Sequence, residues 1–217
     1  MTSLEQRYRR FHMNFIKSKV VIGEHGGWLS EDGLPLMGIT RWIEAVLCQG
    51  DPSNGIYVNV PNHILEAAAE RGKRIHTEIE MMCNGFDADS QECKIAKMLL
   101  PEQQYLTEYV VTDNEMFASA IDLVGEDMTL WDIKTNSKLD DDLLLKYRYQ
   151  LSIYKFLFEW QTGEQVRGLK ILWINKQLKN KVVDIDPISA VEIQDFLYNP
   201  QHFKWYKQFI NLSKDEE

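Results

Sequence analysis

Residues 120–154 are AIDLVGEDMTLWDIKTNSKLDDDLLLKYRYQLSIY. Two apolar, β-compatible runs, Phe117 to Val124 and Met128 to Ile133, flank Gly125-Glu126-Asp127. Two such runs around a short Gly/Asp-containing turn predict a β-hairpin. With a three-residue turn, Val124 is placed opposite Met128 and Asp122 opposite Leu130. Side chains alternate between faces, so Asp132 shares the face of Asp122 on the diagonal, ~7–8 Å away, and Lys134 shares it too. A four-residue turn would send Asp132 to the other face.

Two carboxylates aimed at one spot repel each other, and a hard divalent cation with a preference for oxygen ligands relieves the repulsion. Such an ion polarises a phosphoryl oxygen and lowers the pKa of a bound water. A lysine alongside orients that water and offsets developing charge. The expected chemistry is hydrolysis of a phosphodiester. An isolated D-x-K triplet is common and reads as a surface ion pair, so the weight lies in the upstream acid, the hairpin and the helix that follows.

That helix is predicted over Leu143 to Trp160, with Leu144, Tyr147, Leu151, Tyr154, Leu157 and Phe158 at helical spacing. Asp140, Asp141 and Asp142 suit its N-terminal end. Gln150 and Tyr154 are four apart and share a face. An aromatic in such a stripe is more often core, whereas Gln150 sits beside it and needs another explanation.

Together these residues resemble the PD-(D/E)XK nuclease superfamily in its RecB-like exonuclease branch, of phage or mitochondrial-maintenance type. Asp122 matches the acid of the first half-motif, Asp132-Ile133-Lys134 matches (D/E)-x-K followed by Thr135, and Gln150-x-x-x-Tyr154 matches Q-x-x-x-Y. Gly72-Lys73-Arg74-Ile75-His76 matches the upstream helical histidine in its G-x-x-x-H context, with Glu80 one turn on. Ile121 stands where the family name has proline. The resemblance covers about residues 62–181, and its specificity lies in four motifs in the right order and spacing.

The resemblance implies roles. Asp122, Asp132 and the Ile133 carbonyl would ligate Mg²⁺ or Mn²⁺, with His76 as a further ligand and Glu80 and Glu108 as weaker candidates. Lys134 would position or activate the attacking water. Gln150 would orient Lys134 or contact the DNA backbone, and Tyr154 would support that wall. The implied activity is a metal-dependent DNA exonuclease acting on ends or single strands, in recombination, repair or phage DNA processing, with a recombination or single-strand-binding protein as a class of partner. Two alternatives stay open: a structure-selective endonuclease that needs a partner, and a non-catalytic DNA- or protein-binding module on the same fold.

The remaining chain is expected to complete an α/β restriction-endonuclease-like αβββαβ core, a central mixed sheet flanked by helices. Helices are predicted over Arg7 to Lys19, Arg41 to Cys48 with Thr40 as cap, Asn62 to Cys83 with Gly72 a weak point, and Ile95 to Leu99. Gln104 to Thr112, Val166 to Ile174 and Lys179 to Ile185 are further expected strands, and Val20 to Pro35 reads as a glycine-rich strand and turn. Pro187 is expected to open a last helix carrying Trp205 and Phe209 on its packing face. A single nuclease domain over 1–217 is expected, divided into an N-terminal arm (1–61), a core (62–185) and a C-terminal helix (186–217).

The chain has 217 residues, 44% hydrophobic and 26% charged, which suits one globular domain. It lacks a ~20-residue apolar run and a signal-peptide pattern, so a cytoplasmic location, in a bacterium or a phage-infected host, is expected. Cys48, Cys83 and Cys93 are too few for a four-cysteine iron–sulfur cluster and are read as buried free thiols. The net charge of −9 runs against nucleic-acid binding as a sum. Local basic tracks answer it: Arg7, Arg9, Arg10, Lys17 and Lys19; Arg71, Lys73 and Arg74 beside His76; and five cations from Arg167 to Lys181 with no acid among them. Arg71, Lys73, Arg74, Arg148 and Lys176 are the expected DNA contacts.

Overall fold

The computed structural model describes residues 18–23 and 27–214. The helix expected over residues 7–19 and the first basic track lie almost wholly outside these residues. The described strands are β1 (Val21–Ile22), β2 (Trp28–Leu29), β3 (Pro35–Gly38), β4 (Tyr105–Thr112), β5 (Phe117–Gly125), β6 (Thr129–Lys134), β7 (Gly168–Ile174) and β8 (Asn180–Asp184). The helices are α1 (Ile39–Leu47), α2 (Asn62–Cys83), α3 (Gln91–Leu99), α4 (Asp141–Thr162), α5 (Ala190–Tyr198) and α6 (Pro200–Lys214). The expected αβββαβ core is present as α2, β4, β5, β6, α4 and β7 in a mixed sheet.

The sheet is covered on both faces. Ile39, Trp42, Leu151, Leu157 and Phe158 of α1 and α4 pack against Tyr109, Ile121, Leu130 and Ile171. On the opposite face Ile75 and Ile79 of α2, with Cys93 and Ala96 of α3, meet Leu123, Trp131, Ile133 and Leu172. The near-continuous apolar run of β6 and β7 follows from this, because a parallel pair joined by a helix is buried on both sides. The crossover is α4, opened by the Asp140 carboxylate accepting from Leu143 N and closed by Gly163 at φ 74°. Residues 35–47 also join this body: β3 pairs in parallel with β5, and α1 lies in the core shared with α4.

Three local expectations are corrected. α1 starts at Ile39 behind Gly38, so Thr40 is its second residue rather than its cap. The C-terminal segment is two helices, because Pro200 lacks the N–H needed to continue α5; Ser189, not Pro187, opens it with a capping box to Glu192. Gly72 does not weaken α2. A Cβ there would lie 3.3 Å from Thr135 Oγ1, so the glycine lets the helix lie close against the end of β6. Cys48 and Cys93 are buried and Cys83 is half-buried, all as free thiols. No helix among the described residues is long and apolar enough to cross a membrane.

The hairpin register differs from the sequence expectation by two residues. Leu123 pairs with Trp131 and Val124 with Leu130, so Asp122 is level with Asp132 rather than with Leu130. The turn comprises Glu126, Asp127 and Met128, with Met128 N donating to Gly125 O and Met128 at φ 64°. This left-handed residue after a turn lets three residues close the hairpin one step later than expected. Asp127 holds it there by accepting from Thr129 N and from Gln103 Nε2.

Candidate metal centre

β5 is shared on one edge. β4 runs along one side of it from Ala118 to Gly125, while the other side meets β3 at Phe117 and Ala118 and β6 at Leu123 and Val124. Between them the sheet forks at Asp122. A regular ladder would bond Ile133 N to the β5 backbone, yet here the Asp122 carboxylate takes that proton, with Oδ2 at 2.6 Å. The buried backbone donor is satisfied by a side chain, and the acid is thereby fixed in orientation.

The same point breaks the alternation of both strands. Leu106 and Tyr109, three apart, pack into one core layer, and so do Ile121 and Val124. The β4–β5 ladder has the pairs Thr107–Leu123 and Tyr109–Ile121 and lacks Glu108–Asp122. Glu108 sits there at φ 48°, in the left-handed region that side-chain-bearing residues seldom occupy. Strain of this kind costs ~1–3 kcal/mol and collects at functional sites. It turns the Glu108 carboxylate toward Asp122 and His76.

His76, Glu108 and Asp122 form a trio whose ligand atoms all lie within 4.8 Å of one another. His76 Nδ1 is 3.3 Å from Asp122 Oδ1. Burial disfavours its imidazolium, but the charge and hydrogen bond of Asp122 outweigh burial and raise His76 above its ordinary value. Burial works against the Asp122 carboxylate as well; His76, Lys134 and the Ile133 amide overcome it and hold the acid low. Glu108 is exposed at the mouth of the hollow, yet the atoms packed around its carboxyl desolvate it and, with the Asp122 charge, push it up to about 7. Glu80, one turn beyond His76, lines the same hollow and accepts from Thr107 Oγ1 at 3.4 Å.

The second group of residues reaches the fork from α4. Asp132 is 1% exposed. Its Oδ1 accepts from Gln150 Nε2 at 3.1 Å. Its Oδ2 lies 2.8 Å from Lys134 Nζ, a buried ion pair. Burial raises the Asp132 carboxyl and the Asp122 charge adds to this, against the pull of Lys134. Lys134 Nζ donates to Gln150 Oε1 at 3.2 Å and rests 4.5 Å from the centre of the Tyr147 ring. Gln150 Nε2 also donates to Tyr154 OH at 2.8 Å, and Tyr154 OH meets Ser119 Oγ at 3.0 Å. Burial raises the Tyr154 phenol, which stays neutral.

This geometry sorts the expected residues. His76, Asp122, Asp132, Ile133, Lys134, Gln150 and Tyr154 meet at the fork. Glu108, expected as a weaker candidate, completes the trio, whereas Asp132 lies outside it and faces Lys134 and Gln150. Gln150 is 5% exposed, with its Oε1 bonded to Lys134 and its Nε2 to Asp132. Ser119 and Tyr147 escaped the sequence reading, because a serine in a strand and a tyrosine in a helical stripe carry no local signal.

The expected DNA contacts separate as well. Arg71 donates to Thr135 O at 2.9 Å and pairs with Glu92 at 3.0 Å, which ties α2 to the end of β6 and to α3. Arg74 pairs with Glu78 at 2.9 Å. Arg148 donates to Asp186 O at 2.8 Å. Lys73 lines the hollow with His76 and Glu108, and Lys176 lines a larger cavity shared with Lys134.

The donor set fits a divalent cation. Two carboxylates and one imidazole converge within 4.8 Å of one another, and the like charges of Asp122 and Glu108 repel, which a cation would relieve. One nitrogen ligand suits Mn²⁺ more than Mg²⁺. Glu108→Gly is expected to remove the backbone strain and raise stability without metal by about 1 kcal/mol, while weakening Mn²⁺ binding. Thermal unfolding in EDTA and in Mn²⁺ checks both halves; a lower melting temperature in EDTA would refute the strain.

No family model matches the chain, and no curated protein does. Solved structures similar to it include that of SSO0001, 16% identical with a TM-score of 0.43 over 93% of this chain and 87% of the other. A candidate exonuclease from Eubacterium rectale is 11% identical, with a TM-score of 0.47 over 80% and 82%. An alkaline exonuclease from Laribacter hongkongensis is 12% identical, with a TM-score of 0.45 over 83% and 93%. Likeness at this level carries no functional argument.

Proposed function

We propose that the chain is a divalent-metal-dependent deoxyribonuclease that hydrolyses phosphodiester bonds at DNA ends or in single strands. One observation carries the reading: the His76–Glu108–Asp122 trio lies at the same strand fork as a lysine held by a buried aspartate and glutamine. The choice of DNA follows the RecB-like order of motifs.

His76, Glu108 and Asp122 would hold the ion, with Asp132 alongside. When bound, the cation supplies Lewis-acid polarisation of the phosphate and a lowered pKa for water. The rest is the work of the chain. Asp132, Gln150 and the Tyr147 ring hold the Lys134 ammonium, so little motion is needed to meet the charge that develops on phosphate oxygens. Tyr154 and Ser119 fix Gln150 from below. His76 and Lys134 line the same cavity, so a phosphate entering it would meet the imidazole of the trio and the ammonium together.

The test is digestion of end-labelled linear and covalently closed circular DNA in Mg²⁺, Mn²⁺ or EDTA. Metal-dependent loss of linear DNA alone is expected, and the labelled products give the polarity. Cutting of circles would make the enzyme an endonuclease. Absence of cleavage by folded protein in either metal would refute the proposal.

A further inference from the structure

We propose that Arg71 and Glu92 are positioning residues, a strut running from α3 through α2 to the end of β6 that sets the gap between His76 and Lys134. This rests on the nuclease reading and assigns part of its rate to residues that touch neither the ion nor the substrate.

Lys134 is the last residue of β6 and pairs with Trp173 of β7. Beyond it the chain leaves the ladder for α4, and its carbonyls need donors from elsewhere. Three in succession find them in side chains. Thr135 O accepts from Arg71 Nη1 at 2.9 Å, Asn136 O from Trp173 Nε1 at 2.9 Å, and Ser137 O from Asn175 Nδ2 at 3.1 Å. Trp173 and Asn175 come from β7 and the turn after it, so they fix the segment within the sheet. Arg71 reaches it from α2, the helix that carries His76 one and a half turns, or ~7.5 Å, further along.

Arg71 is itself held. Its Nη2 lies 3.0 Å from Glu92 Oε1 in the first turn of α3, and the two side chains keep 19% and 12% of their surface in water. A planar guanidinium presents its donors in a fixed fork and can meet both acceptors at once. Next to it, a Cβ on Gly72 would lie 3.3 Å from Thr135 Oγ1. The glycine permits the close approach of helix and strand, and Arg71 fixes it. The remaining contacts of α2 with the sheet run through Ile75 and Ile79. Apolar burial resists separation but has no direction, whereas a charge-assisted hydrogen bond has one. The imidazole of the trio and the ammonium of Lys134 ride on these two elements, so the strut sets how they face a phosphate.

The competing role for Arg71 is a contact to a DNA phosphate, since it lines the cavity beside Lys134. Glu92 separates the two roles. Removing an acid favours an anionic ligand, so a lower rate in a Glu92 variant does not come from weaker attraction of DNA.

Arg71→Gln, Glu92→Leu and Glu92→Gln are compared on a single-stranded oligonucleotide at saturating Mn²⁺, well below each melting temperature. Arg71→Gln and Glu92→Leu should lower kcat about tenfold to a hundredfold, the scale of a small displacement of a reacting group, with KM unchanged. Glu92→Gln keeps an oxygen that accepts from Arg71 and should retain most of the parental kcat, although it removes the same charge as Glu92→Leu. Two readouts need no cleavage. Affinity for the oligonucleotide in EDTA should fall with salt as steeply in Arg71→Gln as in the parent. Amide hydrogen exchange should quicken in both Arg71→Gln and Glu92→Leu over residues 134–138 and leave the rest of the sheet unchanged. A salt slope smaller by about 0.7 in Arg71→Gln, the share of one phosphate contact, with parental kcat in Glu92→Leu, would make Arg71 a DNA contact and overturn the strut. Faster exchange throughout the chain would reduce the pair to a stabilising ion pair and overturn it as well. A parent that cleaves DNA while all three variants keep its kcat refutes the strut and leaves the nuclease. A parent that cleaves nothing in Mg²⁺ or Mn²⁺, while exchange still quickens over 134–138 in the variants, refutes the nuclease and leaves the strut.

Discussion

Lys134→Met is expected to abolish cleavage and to destabilise the protein, and the two losses are separable. The ammonium lies 2.8 Å from a carboxylate that is 1% exposed. Taking away one member of a buried pair strands the other and costs ~3–5 kcal/mol. The lower end applies, because the Lys134 side chain keeps 17% of its surface in water. Catalysis should fall ~10²–10⁴-fold, the range for a group that moves a proton or meets transition-state charge. Adding Asp132→Asn removes the stranded charge, and Asn can still accept from Gln150 Nε2. The double variant should therefore recover most of the stability and none of the activity, a non-additivity that marks direct coupling. Additive losses in urea unfolding would show that Lys134 and Asp132 do not act as a pair. Parental cleavage by either variant would remove them from the reaction.

Asp122→Asn is expected to abolish the response to metal. In the parent, Mn²⁺ at a hundred times its dissociation constant should stabilise by ~2.7 kcal/mol, a rise of roughly 5–10 °C for a chain of this size. Asn at this position can still accept from Ile133 N and so keep the fork closed. It loses the negative charge that sets His76 and repels Glu108. The variant should fold, show no Mn²⁺-dependent rise and lose cleavage together with it. A parental thermal shift in Asp122→Asn would place the ion elsewhere and refute the trio. His76 offers a finer grading, because it is one neutral donor beside two acids, and its loss should weaken the shift without abolishing it.

Asp122, Asp132, Lys134 and Gln150 were legible because short spacings on regular elements fix which residues can meet, four along a helix and two along a strand, whereas His76 came from the family resemblance alone. The α2 and α4 spans and the order of the core elements followed from the same periodicities. The alternation argument brought Asp122 near Asp132 although its register was displaced by two, because a shift of two preserves the face. It did not foresee that both β4 and β5 break alternation at one level. A positive φ at a glutamate has no local signature; the surrounding packing imposes it.

The sequence alone determined the identity of the acids, the lysine and the helix that steadies it, since these depend on contacts close along the chain. Tertiary structure decided how they divide. The fork of β5 puts Asp122 on the Ile133 amide, the strained turn of β4 delivers Glu108 from a strand that precedes the hairpin, and close packing at Gly72 seats His76. Each is a long-range placement set by how strands and helices share a core, and no spacing along the chain encodes it.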